Sequence, residues 1–130
     1  MNTKTGNVIV AVASCLVVGP ASAHHSFGLQ FDSSRTVTVS GTLTNLEWTN
    51  PHIGLSVDVE NDSGAVQDWL VAGSPPHHFL KSDFSRGDFE KAIGQTITLV
   101  VYPARDGSNW GHLLTFTLPD GRSMTVDPSL

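Results

Sequence analysis

Hydrophobic and polar positions alternate along most of this chain, and the places where the alternation fails divide it into elements. Val37, Val39, Gly41 and Leu43 share one parity, whereas Leu46 and Trp48 share the other. Successive strand residues point to opposite faces, so residues 36–48 predict one strand with a bulge or bend between Gly41 and Asn45. Ile53, Leu55, Val57 and Val59 alternate without a break and predict a second strand. Asn50-Pro51 marks the turn before it, and Asn61-Asp62-Ser63-Gly64 the hairpin turn after it. A third strand is predicted from Val66 to Val71, centred on Trp69.

The period changes after Pro75-Pro76. Phe79, Leu80, Phe84, Phe89, Ala92 and Ile93 recur at roughly helical spacing, which predicts one or two short helices within residues 74–94. Ser85 or Asp88 supplies a start and Gly94 a stop. Thr96 to Tyr102 then reads as a strand, residues 103–111 as a polar loop, and Leu113–Leu118 and Ser123–Val126 as strands around the Pro119-Asp120-Gly121 turn. Ahead of all these, Phe27, Leu29 and Phe31 alternate, so residues 24–34 are expected as an extended lead-in.

Three strands, a short helical segment and two or three more strands is the order of an oligonucleotide/oligosaccharide-binding (OB) barrel. The expected fold is therefore all-β with a short helical insertion, a small OB-like barrel of about five or six strands. A small β-sandwich is the alternative.

The first residues carry a different pattern. Lys4 precedes an almost unbroken apolar run from Val8 to Val18, too short to span a bilayer. Gly19-Pro20 breaks the run, and Ala21-Ser22-Ala23 offers the small side chains of an export-signal cleavage site. The expectation is a signal peptide over residues 1–23 and one domain over 24–130, periplasmic or secreted, with no membrane insertion after cleavage. The alternative is a lipoprotein, because Val12-Ala13-Ser14-Cys15 resembles a lipid-attachment box. Cys15 is the only cysteine, so cleavage after Ala23 would leave a domain without thiol or disulfide.

The chain carries a formal net charge of −5 and shows no basic run. Phosphate neutralisation dominates nucleic-acid binding, so no nucleic-acid partner is expected.

"HHSF" followed by "FD", then "WTNPH", a tryptophan strand leading to "SP", "ARDGS" and "LPDGR" together resemble an uncharacterised family of small exported bacterial proteins. The resemblance runs from His24 to about Met124. It implies an envelope location and a small β-rich domain, and it brings no established activity. Members of that family often carry an acidic residue soon after the third-strand tryptophan, whereas here Trp69 is followed by Leu70-Val71-Ala72-Gly73.

Candidate chemistry centres on histidine. Cleavage after Ala23 would make His24 the first residue, with a free amine of pKa ~8 and an imidazole of pKa ~6.5 on one carbon. Both lose a proton readily to a divalent metal, and together they close a chelate ring. A further histidine would complete the nitrogen set known as a histidine brace, which suits copper. His52, presented by the Asn50-Pro51 turn, is the first candidate; His25 and His112 are the others. Copper is thus the expected cofactor, if one is bound. The competing reading has the first two histidines solvated at a chain end and His52 hydrogen-bonded within its turn. His77-His78 reads either as a second nitrogen pair or as polar residues of a first helical turn.

The loop "PARDGSNWG" offers Arg105, Asp106, Ser108, Asn109 and Trp110. Tryptophan beside hydrogen-bond donors can stack on a sugar or peptide, so these five are candidate contacts for an envelope protein or small ligand. The structural alternative is a hairpin in which Trp110 covers a barrel end. Trp48 and Trp69 sit on strands and are assigned to the core.

Catalysis has little support. No nucleophile elbow or phosphate-binding glycine loop occurs. Asp58 and Glu60 lie two apart on one strand face and read as solvent-facing. The sequence favours binding over turnover: a copper-binding exported protein first, a metal-free ligand-binding module second, and a copper-dependent redox enzyme as a remote third.

Overall fold

The computed structural model describes residues 23–126, with side chains from Phe27 onward. The expected leader up to Ser22, including Cys15, lies outside the described residues. The elements in order are α1 (Ala23–Gln30), β1 (Val37–Trp48), β2 (Ile53–Glu60), β3 (Val66–Ala72), a 3-10 turn (Pro76–Phe79), α2 (Arg86–Ala92), β4 (Thr96–Pro103), β5 (Trp110–Thr117) and β6 (Ser123–Thr125). Among the described residues, no helix is long and apolar enough to cross a membrane.

The strands run β3-β2-β1-β4-β5-β6, and a parallel pairing of β3 with β5 closes the first five into a barrel. The fold is thus the expected small all-β barrel with a helical insertion, and β6 is an extra strand at its margin. β1 is the hinge of the design. Its first half pairs with β4, from Val37↔Val101 to Thr42↔Thr96, and its second half pairs with β2. The register slips between Leu43 and Asn45, so the parity change in the sequence is a bulge that bends one strand into two directions. Gly41 sits just before the bend, where a Cβ would collide with the backbone carbonyl of Asp58.

Inward residues form one apolar core that includes Leu43, Leu55, Val57, Leu99, Leu113 and Phe116. Burying each such side chain stabilises the fold by roughly 1.5–3 kcal/mol. α2 lays Phe89 into this core against Phe116, with ring centroids 4.9 Å apart, and Trp48 packs on Phe89 at 5.6 Å. Trp48 and Trp69 both pack against the core from half-buried positions. Ser85 starts α2: its amide and its hydroxyl both donate to the Asp88 carboxylate at 2.8 Å. Gly94, with φ of 84°, follows its end.

The lead-in differs from the expectation. Residues 23–30 form a helix instead of an extended segment. Phe27 and Phe31 are four apart as well as matched in parity, and i, i+4 neighbours meet on one helix face. The amide of Phe31 donates to the carbonyl of Phe27 at 2.9 Å, and the two rings lie 5.4 Å apart. Leu29, the middle member of the apparent alternation, is 77% exposed. The helical period prevails because it turns both phenylalanines onto the barrel at once.

Candidate metal-binding site

His52 follows the β1–β2 turn, which contains a cis Asn50-Pro51 bond. Its Nδ1 lies 3.0 Å from the carbonyl oxygen of Gly73. A carbonyl only accepts, so Nδ1 carries a proton, and the nitrogen left to ligate a metal is Nε2. Gly73 is placed for this by the continuing β2–β3 ladder: its amide donates to the Ile53 carbonyl at 2.8 Å, and the Ile53 amide donates to the Ser74 carbonyl at 3.2 Å. A Cβ on Gly73 would stand 2.6 Å from Cγ1 of buried Ile53, so this close approach requires glycine.

His112 stands on β5, paired with Tyr102 of β4 on one side and Ala72 of β3 on the other. It is 3% exposed, and its Nε2 has no hydrogen-bond partner among the described residues. Phe27 packs edge-on against its ring at 4.7 Å, and Phe31 lies at 5.7 Å. Burial in this aromatic setting, helped by the neighbouring His52, pushes the His112 imidazole down to a pKa of about 4. At neutral pH it is therefore an uncharged ring with a ligating nitrogen. Leaving a buried polar atom unpaired costs about 1–3 kcal/mol, so the arrangement is not neutral for stability.

The two rings are neighbours, with centroids 6.5 Å apart at an interplanar angle of 84°. A metal held by imidazole nitrogen at ~2.0 Å sits roughly 3 Å from each ring centroid, so two rings sharing an ion lie up to roughly 6 Å apart. The observed pair lies about half an ångström outside that limit, so a shared ion would draw the two rings slightly together, and the donor set fits a nitrogen-preferring transition metal. Among the described residues, no group of three His, Cys, Asp or Glu side chains converges on one point. Positions 24 and 25 lie in the first turn of α1, one turn ahead of Phe27, and their side chains fall outside the described residues.

The loop candidates connect to the same helix. Arg105 Nε donates to the Gly28 carbonyl at 2.8 Å, and its amide donates to the Gln30 carbonyl at 2.9 Å. Trp110 packs edge-on against Phe31 at 4.6 Å. Asp106 turns the loop by accepting from the Ser108 amide and hydroxyl at 2.9 and 2.6 Å, and these bonds hold its carboxyl below the usual range. The Asn109 carbonyl accepts from the Leu70 amide of β3. Arg105, Asp106 and Trp110 also line an open concavity of about 410 Å³ with Leu29 and Gln30. The loop thus both clasps α1 and keeps a small surface hollow.

His52 from the β1–β2 connection and His112 just beyond the β4–β5 connection occupy the region where OB barrels take ligands. A family model matches residues 11–113. The chain belongs to the family of unknown function DUF6152. The DUF6152 span contains His24, His25, His52, His112 and the clasp residue Arg105, and it stops before the Pro119-Asp120-Gly121 turn. No curated protein and no solved structure matches the chain.

Two site features lay beyond sequence reasoning. Gly73 acts through its backbone carbonyl, which leaves no side-chain signature. Phe27 covers His112 because α1 is helical, a fact hidden by the ambiguous spacing of Phe27, Leu29 and Phe31.

Proposed function

We propose that this DUF6152 chain is an exported copper-binding protein of the bacterial envelope. Cleavage after Ala23 frees the His24 amine, and the metal is held by that amine and imidazole together with His52 and His112. The observation that carries the reading is the His52–His112 pair: adjoining rings, one with its Nδ1 tied to a carbonyl and the other buried with an unpartnered Nε2. The helical register supports it, since position 24 lies three residues ahead of Phe27, which rests on His112. Nitrogen donors without thiolate or carboxylate favour copper over zinc, magnesium or calcium. His25 is the reserve ligand, through its side chain and backbone nitrogen. The role is binding, not turnover.

The test is copper titration of protein beginning at His24 beside the same protein with its amino terminus acetylated. Blocking the amine should weaken affinity by at least about tenfold and alter the Cu(II) electron paramagnetic resonance spectrum. Equal affinity and identical spectra would remove the amine from the site.

The hollow beside Trp110 supports a second reading, a metal-free module that takes an envelope partner or small ligand between α1 and the β4–β5 loop. In that case, Trp110 fluorescence responds to ligand in metal-free protein.

A further inference from the structure

The 3-10 turn after Pro75 is fixed by one residue. Phe79 is buried against Trp48 and Phe89, with centroids 5.1 and 5.9 Å away. A tight turn of about three residues per repeat cannot bury its other members on the same face, so anchoring Phe79 inward displaces His77 and His78 toward the surface. His77 is exposed and His78 half-buried. Their rings meet at right angles with centroids 4.5 Å apart, and neither imidazole has a hydrogen bond among the described residues. Both line a concavity of about 700 Å³ that Met124 of β6 also lines.

Two imidazoles and a thioether form a soft donor set, and among the described residues no carboxylate lines the hollow. With each centroid roughly 3 Å from a shared ion, rings 4.5 Å apart subtend about a right angle, a bent pair that leaves a third position for sulfur. Lys81 on the rim and the apolar Leu80 and Val126 weigh against a divalent ion and less against a monovalent one. We propose that His77, His78 and Met124 form a second metal site, selective for a soft monovalent ion, Cu(I). It shares no residue with the His52–His112 pair and stands whether or not that pair binds metal.

The test uses the intact protein labelled with 13C-methyl methionine and titrated with Ag(I), a redox-silent probe of Cu(I) sites, followed by anaerobic Cu(I) competition against a chromophoric chelator. The Met124 methyl resonance should shift and saturate at one equivalent, and it should do so equally in a His52→Asn/His112→Asn background. Met124→Leu and His77→Asn/His78→Asn should each weaken Cu(I) binding by at least about tenfold at an unchanged melting temperature, the first because it conserves core volume and the second because neither histidine is buried. A methyl resonance that does not move, or variants that bind Cu(I) as tightly as the parent, would overturn the site. Loss of the Met124 response in the His52→Asn/His112→Asn background would overturn it too, by assigning the signal to the first site.

Discussion

The Nε of Arg105 donates to the carbonyl of Gly28 at 2.8 Å, joining the β4–β5 loop to the end of α1 across 77 positions of sequence. With the Arg105 amide on Gln30 and Trp110 on Phe31, this is the clasp that lays α1 over His112. Arg105→Ala should cost about 1 kcal/mol, because the guanidinium is partly exposed. Amide exchange should accelerate at Phe27–Phe31 well before the barrel core responds. Copper affinity should fall with it, since the clasp positions the helix that carries position 24. Arg105→Lys should rescue little, because an ammonium cannot reproduce the directed Nε bond. Unchanged exchange in α1 would show the clasp to be idle.

His112 separates stability from binding. Its unpartnered Nε2 burdens the metal-free fold, so His112→Leu should leave metal-free stability unchanged or raise it by about 1 kcal/mol. The same change should lower copper affinity by at least about tenfold. Denaturant midpoints and copper titrations of one sample read both effects. A large destabilisation with copper binding intact would make His112 a purely structural residue.

The same group sets a pH dependence in metal-free protein. Its pKa is about 4 when folded and 6.5 in the unfolded reference, so between those values the unfolded chain binds more protons. Stability is therefore full above pH 6.5 and falls as pH drops toward 4, by up to about 3 kcal/mol. Urea midpoints at pH 7, 5.5 and 4.5 should show the decline, and His112→Leu should flatten it. A slope identical in the variant would assign the effect to other groups.

Two glycines give an ordered prediction. At Gly73 an added methyl meets the Ile53 side chain at 2.6 Å, whereas at Gly41 it meets the backbone carbonyl of Asp58. A side chain can rotate and a paired strand cannot. Gly73→Ala should thus cost about 1–3 kcal/mol and move the carbonyl that orients His52, and Gly41→Ala should cost more. Thermal melts rank the two, and the reverse order would contradict the close approach of β1 and β2.

Much of the barrel is legible in the sequence because strand parity and turn residues are local signals. The Leu43–Asn45 bulge, the Asn61–Gly64 turn and the Ser85 start of α2 can each be read from a few neighbouring residues. The Pro119-Asp120-Gly121 turn is equally local, yet Arg122 beyond it reaches Asp88 at 2.8 Å and lies 5.0 Å over the Phe84 ring, partners no local pattern announces. His52 and His112 could be named as candidates by type, but their adjacency depends on barrel closure between β3 and β5. The helical lead-in was obscured because Phe27 and Phe31 satisfy period two and i, i+4 spacing alike. Met124 gave no signal, since only the fold brings β6 alongside the His77-His78 turn.

Three residue pairs are all that zip β3 to β5: Leu70 with Trp110, Val71 with Gly111 and Ala72 with His112. His112 stands on that short seam, and His52 reaches it from β2, on the other side of β3. An ion gripping both rings would lie across the seam like a staple, so the cargo of this small shell would also be its latch.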